Sequence, residues 1–177
     1  MSNREALREL QGRLATRMQQ ARTEARVQSW LAVECAGSGL LFPLHQAGEI
    51  FPVGSVLPVP HTQSWFTGVA NLRGGLHAVV DLARFLGLQR AAAASAGDGA
   101  RLLALNPALG VNCALLVDRL AGLRSAGQLG PEPADASGPG ERPTFAGACW
   151  RDADGRVWQE IELAALVGHE QFLGVAT

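Results

Sequence analysis

The sequence contains no lysine: all 15 basic residues are arginine, set against 16 acidic residues for a formal net charge of −1. No basic surplus or stripe marks a nucleic-acid surface, so no nucleic-acid partner is expected. Cysteine is scarce as well. Cys35, Cys113 and Cys149 are odd in number and far apart, which excludes a disulfide framework and a paired CxxC metal knuckle. The histidines His45, His61, His77 and His169 show no HxH or HxxxH spacing, so no metal site is expected. Neither GxxxxGK nor GxGxxG occurs to cradle a phosphate, and no cofactor or small-molecule substrate is expected. No apolar run approaches the ~18 residues of a membrane span, and the N-terminal stretch is charged and polar. The expectation is a soluble cytoplasmic protein without a transmembrane segment.

What is present is apolar residues, 47% of a 177-residue chain, enough for one sizeable core or two intimately packed lobes. Residues 2 to about 30 read as a helix, because Leu7, Leu10, Leu14 and Met18 make one narrow apolar stripe. Arg4, Arg8, Arg13, Arg17, Arg22 and Arg26 decorate it against Glu5, Glu9 and Glu24. Such a basic amphipathic helix can dock on a membrane surface or partner, or cap the domain with its arginines solvated. The expected organisation is this amphipathic extension over 1–29 followed by one domain over 30–177.

From Trp30 onward, short apolar segments recur about every ten residues between turn signals. Trp30–Val33 and Leu40–Leu44 read as strands around Gly37-Ser38-Gly39, with Leu40-Leu41-Phe42 apolar enough for burial on both faces. Residues 45–50 read as a helical turn, 51–59 as strand-like and broken by prolines, and 83–88 as a helical turn closed by glycine. Residues 89–100 read as a low-complexity linker. Strands follow at 101–105 and 111–117, then a Gly-, Pro- and Ser-rich surface loop at 124–143. A hairpin over 145–163 turns at Asp152-Ala153-Asp154-Gly155, before a short closing helix and a final anchor at Phe172-Leu173. Many short strands with few helices predict a mainly β fold of barrels or a sandwich.

The most informative stretch is Gly68-Val69-Ala70-Asn71-Leu72-Arg73-Gly74, followed by Val79-Val80-Asp81-Leu82. Gly74-Gly75 marks a tight reversal, with an arginine at the corner. This string resembles the signature of the CheW-like coupling proteins of bacterial chemosensory arrays. Glu49-Ile50, Leu115-Leu116-Val117-Asp118 and Ile161-Glu162-Leu163 fit further family positions, and the resemblance covers about residues 27–170. The longer N-terminus, Val157–Ile161 and the Phe172-Leu173 end resemble the PilI branch, which serves twitching motility and type IV pili. Ala78 and Gly75 depart from the family pattern. The resemblance implies two packed five-stranded SH3-like barrels with short helices. It also implies a non-catalytic adaptor, its partners being a methyl-accepting chemoreceptor tip and the regulatory domain of a CheA-type histidine kinase. A flagellar coupling protein is the alternative within the family.

For the site, the resemblance places Glu49 close to Arg73. A guanidinium has five fixed donors and keeps its charge, so it needs such a partner. The pair reads equally as an internal staple or as part of a receptor-docking groove. Ala47, Ile50 and Val53 are the apolar candidates for the groove lining. Asn71 is read as capping the reversal, and Gly74 as supplying its backbone shape. Asp81 and Asp118 read as turn caps, Trp65 and Phe66 as packing. A thiol enzyme built on Cys149, with His169 and Asp152 or Asp154, is the competing class, and no motif surrounds that cysteine.

Overall fold

A computed structural model describes residues 28–89, 98–133 and 142–177. The helix expected over 2–30 lies outside the described residues save for its last three positions, where a strand begins. Alternation along the strands organises the rest. In β1 (Ser29–Cys35), Leu31, Val33 and Cys35 face one core while Trp30 and Ala32 face another. In β2 (Ser38–Pro43), Leu40 and Phe42 divide from Leu41 in the same way. Successive strand side chains point to opposite faces, so an unbroken apolar run needs apolar surroundings on both sides. The double burial read from Leu40-Leu41-Phe42 holds.

The chain then leaves this sheet for β3 (Ala47–Pro52), β4 (Phe66–Leu72), β5 (Gly75–Asp81), β6 (Arg101–Leu105) and β7 (Cys113–Val117), which form a second sheet in the order β3-β6-β7-β5-β4. It returns with β8 (Arg119–Ser125), β9 (Gly130–Glu132), β10 (Ala146–Arg151) and β11 (Val157–Ile161). The first sheet runs β8-β1-β2-β11-β10-β9. A large shared core lies between the sheets, where Trp65, Phe85, Phe145 and Phe172 interlock: Phe172 stacks on Trp65 at 6.2 Å and Phe85 meets Trp65 edge-on at 5.2 Å. Each sheet also wraps a smaller core of its own.

The two sheets repeat one plan. Each has an antiparallel hairpin (β10–β11, β4–β5) with a bulge near its start, and its second strand runs parallel to β2 or β7. Those strands pair antiparallel with β1 or β6, which pair with β8 or β3. Each hairpin leads into a short helix, Leu82–Phe85 or Leu163–Val167, whose preceding acidic residue donates its N–H at 2.8 Å to the carbonyl just before the hairpin: Asp81 to Trp65, Glu162 to Phe145.

The mainly β expectation stands, with corrections in detail. Residues 45–50 are not a helical turn, since Ala47–Pro52 is a strand held by β6. Among the described residues of the expected loop over 124–143, β8 runs to Ser125, a 3-10 turn covers Ala126–Gln128, and β9 adds a sixth strand to the first sheet. Its Gly and Pro content reads as loop, but Leu129 is buried against Trp30 and Trp158 and pins the segment down. Residues 53–59 hold only an isolated bridge from Leu57 to Val69. Phe172 is the final anchor, and Leu173 is exposed. Among the described residues, no helix is long and apolar enough to cross a membrane.

Candidate functional site

The signature string builds a corner. Leu72 and Gly75 face each other across a two-residue turn in which Arg73 (φ 49°) and Gly74 (φ 83°) both have positive φ. A hairpin twisting in the natural sense requires this backbone, and glycine adopts it without strain. The Asn71 side-chain Oδ1 accepts the Gly74 N–H at 2.8 Å, so the expected cap is present. The turn projects the Arg73 side chain, 76% exposed, where its guanidinium meets Glu49 at 2.6 Å.

That contact crosses a gap. β3 and β4 are the two edges of the second sheet and do not pair with each other. Between them lies a recess of about 390 Å³, with residues 49–52 on one side, 70–73 on the other, and Gly54 and Ser55 also lining it. Buried Leu102 and Leu72 supply apolar lining. The structure thus brings together Glu49, Ile50, Asn71 and Arg73. Val53 is exposed just beyond β3 and Gly74 sits in the turn, neither lining the recess. Ala47 packs toward the shared core, opposite to its expected role as groove lining, because it pairs with Leu105, which belongs to that core.

An exposed ion pair is worth about 0.2–1 kcal/mol, since water screens it. The Glu49–Arg73 pair is therefore not a buried staple of the fold. Phe51, Pro52, Ser55, Ala70 and Leu102 escaped the sequence reading. Ala70 stands in the signature string between residues that were read from it; the others come from separate segments and share no motif.

The first sheet presents a different surface. Buried Glu160 accepts the indole N–H of Trp30 at 2.6 Å and of Trp150 at 3.4 Å. Trp158 donates to Asp152 at 2.8 Å, and the Arg124 and Arg156 guanidinium carbons lie 5.4 and 4.6 Å from its ring centroid. Arg119 grips Glu34 through two hydrogen bonds, and Arg156 also donates to it. The Arg119 bonds hold the Glu34 carboxyl below its ordinary range; partial burial opposes this and Arg156 adds to it. Asp152 and Glu132 are lowered likewise, chiefly by the hydrogen bonds from Trp158 and Arg151.

The cysteine triad does not assemble. The buried Cys149 thiol faces the Gln159 Oε1 at 3.0 Å, Asp152 is engaged by Trp158, and His169 packs edge-on against Phe145. Burial pushes the Cys113 thiol up to about 12, far from a reactive thiolate.

Comparison with known proteins agrees with this architecture. The chain is 29% identical over 158 residues to Protein PilI of Pseudomonas aeruginosa, covering 85% of this chain and 82% of that one. The crystal structure of the scaffolding protein TtCheW from Thermoanaerobacter tengcongensis superposes with a TM-score of 0.62 at 19% identity, over 77% of this chain and 84% of that one. The CheW-like domain matches residues 29–171, the span that holds both sheets, the Asn71–Gly74 corner and the recess, and the chain belongs to the CheW-like domain family.

Proposed function

We propose that this protein is a non-catalytic adaptor. It couples the cytoplasmic tip of a methyl-accepting chemoreceptor to the regulatory domain of a CheA-type histidine kinase, in an array that controls type IV pilus twitching motility. It works in the cytoplasm and is recruited to receptor arrays at the membrane. The single observation that carries this reading is the exposed Glu49–Arg73 pair over an apolar recess, built from the family's own signature string. The likeness to Protein PilI supports the pilus branch. In this reading Arg73 and Glu49 orient the partner, exposed Ile50 and Val53 supply apolar contact, and Asn71 and Gly74 hold the corner. Ala47 acts from behind by seating β3. Apolar contact inside a polar rim is the usual anatomy of such interfaces.

The test is co-elution of the full chain with a receptor-tip hairpin and the kinase regulatory domain from the same source. A ternary peak is expected, and Ile50→Asp or Arg73→Ala should weaken it about tenfold while the circular dichroism spectrum is unchanged. A folded protein that binds neither partner overturns the reading.

A further inference from the structure

The repeated plan of the two sheets has one mismatch, and it falls at the recess. In the first sheet the outer edge of β10 is covered by β9, with Cys149 opposite Glu132, Trp150 opposite Pro131 and Arg151 opposite Gly130. The matched hydrogen bonds of Asp81 and Glu162 make Trp65 the counterpart of Phe145, and hence Val69 the counterpart of Cys149. Val69 is also covered: its N–H and C=O exchange 2.8 Å hydrogen bonds with Leu57. There the resemblance stops. Among the described residues, Leu57–Val69 is the one bridge on that edge of β4. Residues 55 and 56, which stand where Gly130 and Pro131 do, make no bridge to β4, and Ser55 lines the recess instead.

Backbone groups in a strand alternate sides, so Asn71, two residues beyond Val69, aims its N–H and C=O toward the same edge. Both edges of the first sheet are guarded. β9 is three residues long and contains Pro131, and β8 is interrupted by a bulge and flanked by Arg119 and Arg124. Short length, bulges, proline and charge are how proteins blunt strand edges. At Asn71, β4 has neither proline nor bulge, its one irregularity falling earlier, between Phe66 and Gly68.

We propose that this stretch receives a short extended segment of a partner protein, antiparallel to β4, in the place that Gly130 and Pro131 of β9 fill in the sister sheet. The occupant must be extended, because a helix has already spent its backbone donors and acceptors internally. It should be small or apolar where it passes Leu72 and Leu102. Arg73 meets Glu49 through Nη2, and an acidic residue at the segment's N-terminal end would take up its other donors, since an antiparallel strand begins at the corner. The inference goes beyond receptor coupling, because a helical receptor tip can engage the rim side chains without using this edge.

The test uses the full chain and a synthetic peptide of about six residues, opened by Glu and then alternating Thr and Val. A control peptide carries N-methyl groups on alternate amides, which keeps the side chains and removes the strand hydrogen bonds. Amide hydrogen exchange is followed by NMR. The expected result is at least tenfold slower exchange at Asn71 with the unmethylated peptide alone. Equal slowing by both peptides, no slowing at millimolar peptide, or an Asn71 amide already protected because residues 54–56 close onto β4, each overturns the proposal. None of these outcomes touches the co-elution result, so the two readings fail separately.

Discussion

The first sheet closes its private core with large aromatics: Trp30 and Trp158 are almost fully buried, with Trp150 packed against them. The second sheet, on the same plan, fills the equivalent space with Ala70, Leu72, Val79, Leu102 and Ala114, and stays open at the recess. Polar groups follow the same division. Around the first core, every indole N–H reaches a carboxylate, and two arginines approach the Trp158 ring. Around the second, one exposed ion pair spans the gap between two unpaired edges. A duplicated architecture thus has two outcomes: one lobe is filled and cross-linked, while its sister leaves a recess between two edges that do not pair with each other.

The comparison breaks most readily at the tryptophans. Trp158→Ala should cost about 3–5 kcal/mol, because a large ring is deleted from a site that cannot collapse. Leu102→Ala should fall near the lower end of its class, about 2 kcal/mol, since the space it leaves adjoins the open recess. Urea unfolding of both variants measures the gap, and equal losses would show that the lobes are equally well packed.

Gly68→Ala comes next. Gly68 has φ 142°, and a Cβ there would lie 2.1 Å from the Leu57 carbonyl oxygen, backbone that cannot step aside without breaking the Leu57–Val69 pair. The expected loss is about 1–3 kcal/mol, with faster amide exchange at Leu57 and Val69. Unchanged exchange there would mean that the strap over residues 53–57 does not depend on this approach.

Acid should act on the first lobe before the second. Glu34, Glu132 and Asp152 all have folded values below their ordinary ones, 4.5 for glutamate and 3.8 for aspartate. A lowered carboxylate stabilises the fold above its unfolded value, and that contribution is lost as pH falls through the folded value. Stability should therefore drop from about pH 4.5 downward. Three of the four tryptophans belong to this lobe, so their fluorescence reports the change. Glu34→Gln should flatten the acid limb; an unaltered limb would remove Glu34 from the account.

The smallest expected effect is Arg73→Ala, no more than about 1 kcal/mol, since its partner stays solvated. A loss above about 2 kcal/mol in urea would make the pair a structural staple after all and take the corner out of the binding account.

The strand-rich fold was legible because burial on two faces demands unbroken apolar runs such as Leu40-Leu41-Phe42, and because Asp-Gly and Gly-Gly mark reversals, although the second turn falls one residue earlier, at Arg73-Gly74. The corner was legible too, since an Asn cap and a positive-φ Gly are local requirements of a two-residue turn. Ala47 was misjudged because its partner across the sheet, Leu105, belongs to the shared core, a pairing that no local signal in residues 47–53 reports. The 124–143 segment was misjudged because its composition describes the backbone's freedom and says nothing of Leu129, whose anchor lies in distant strands.

By itself, then, the sequence determined the local devices: turns, caps, doubly buried strands and the signature string that marks the family. Only the tertiary structure decided that Glu49 and Arg73 meet in solvent across an open seam, that one lobe is sealed and the other is not, and that Leu57 covers a single residue of β4. Local devices depend on neighbours along the chain. The seam depends on which strands fail to pair, a property of the whole sheet that no segment of the chain carries alone.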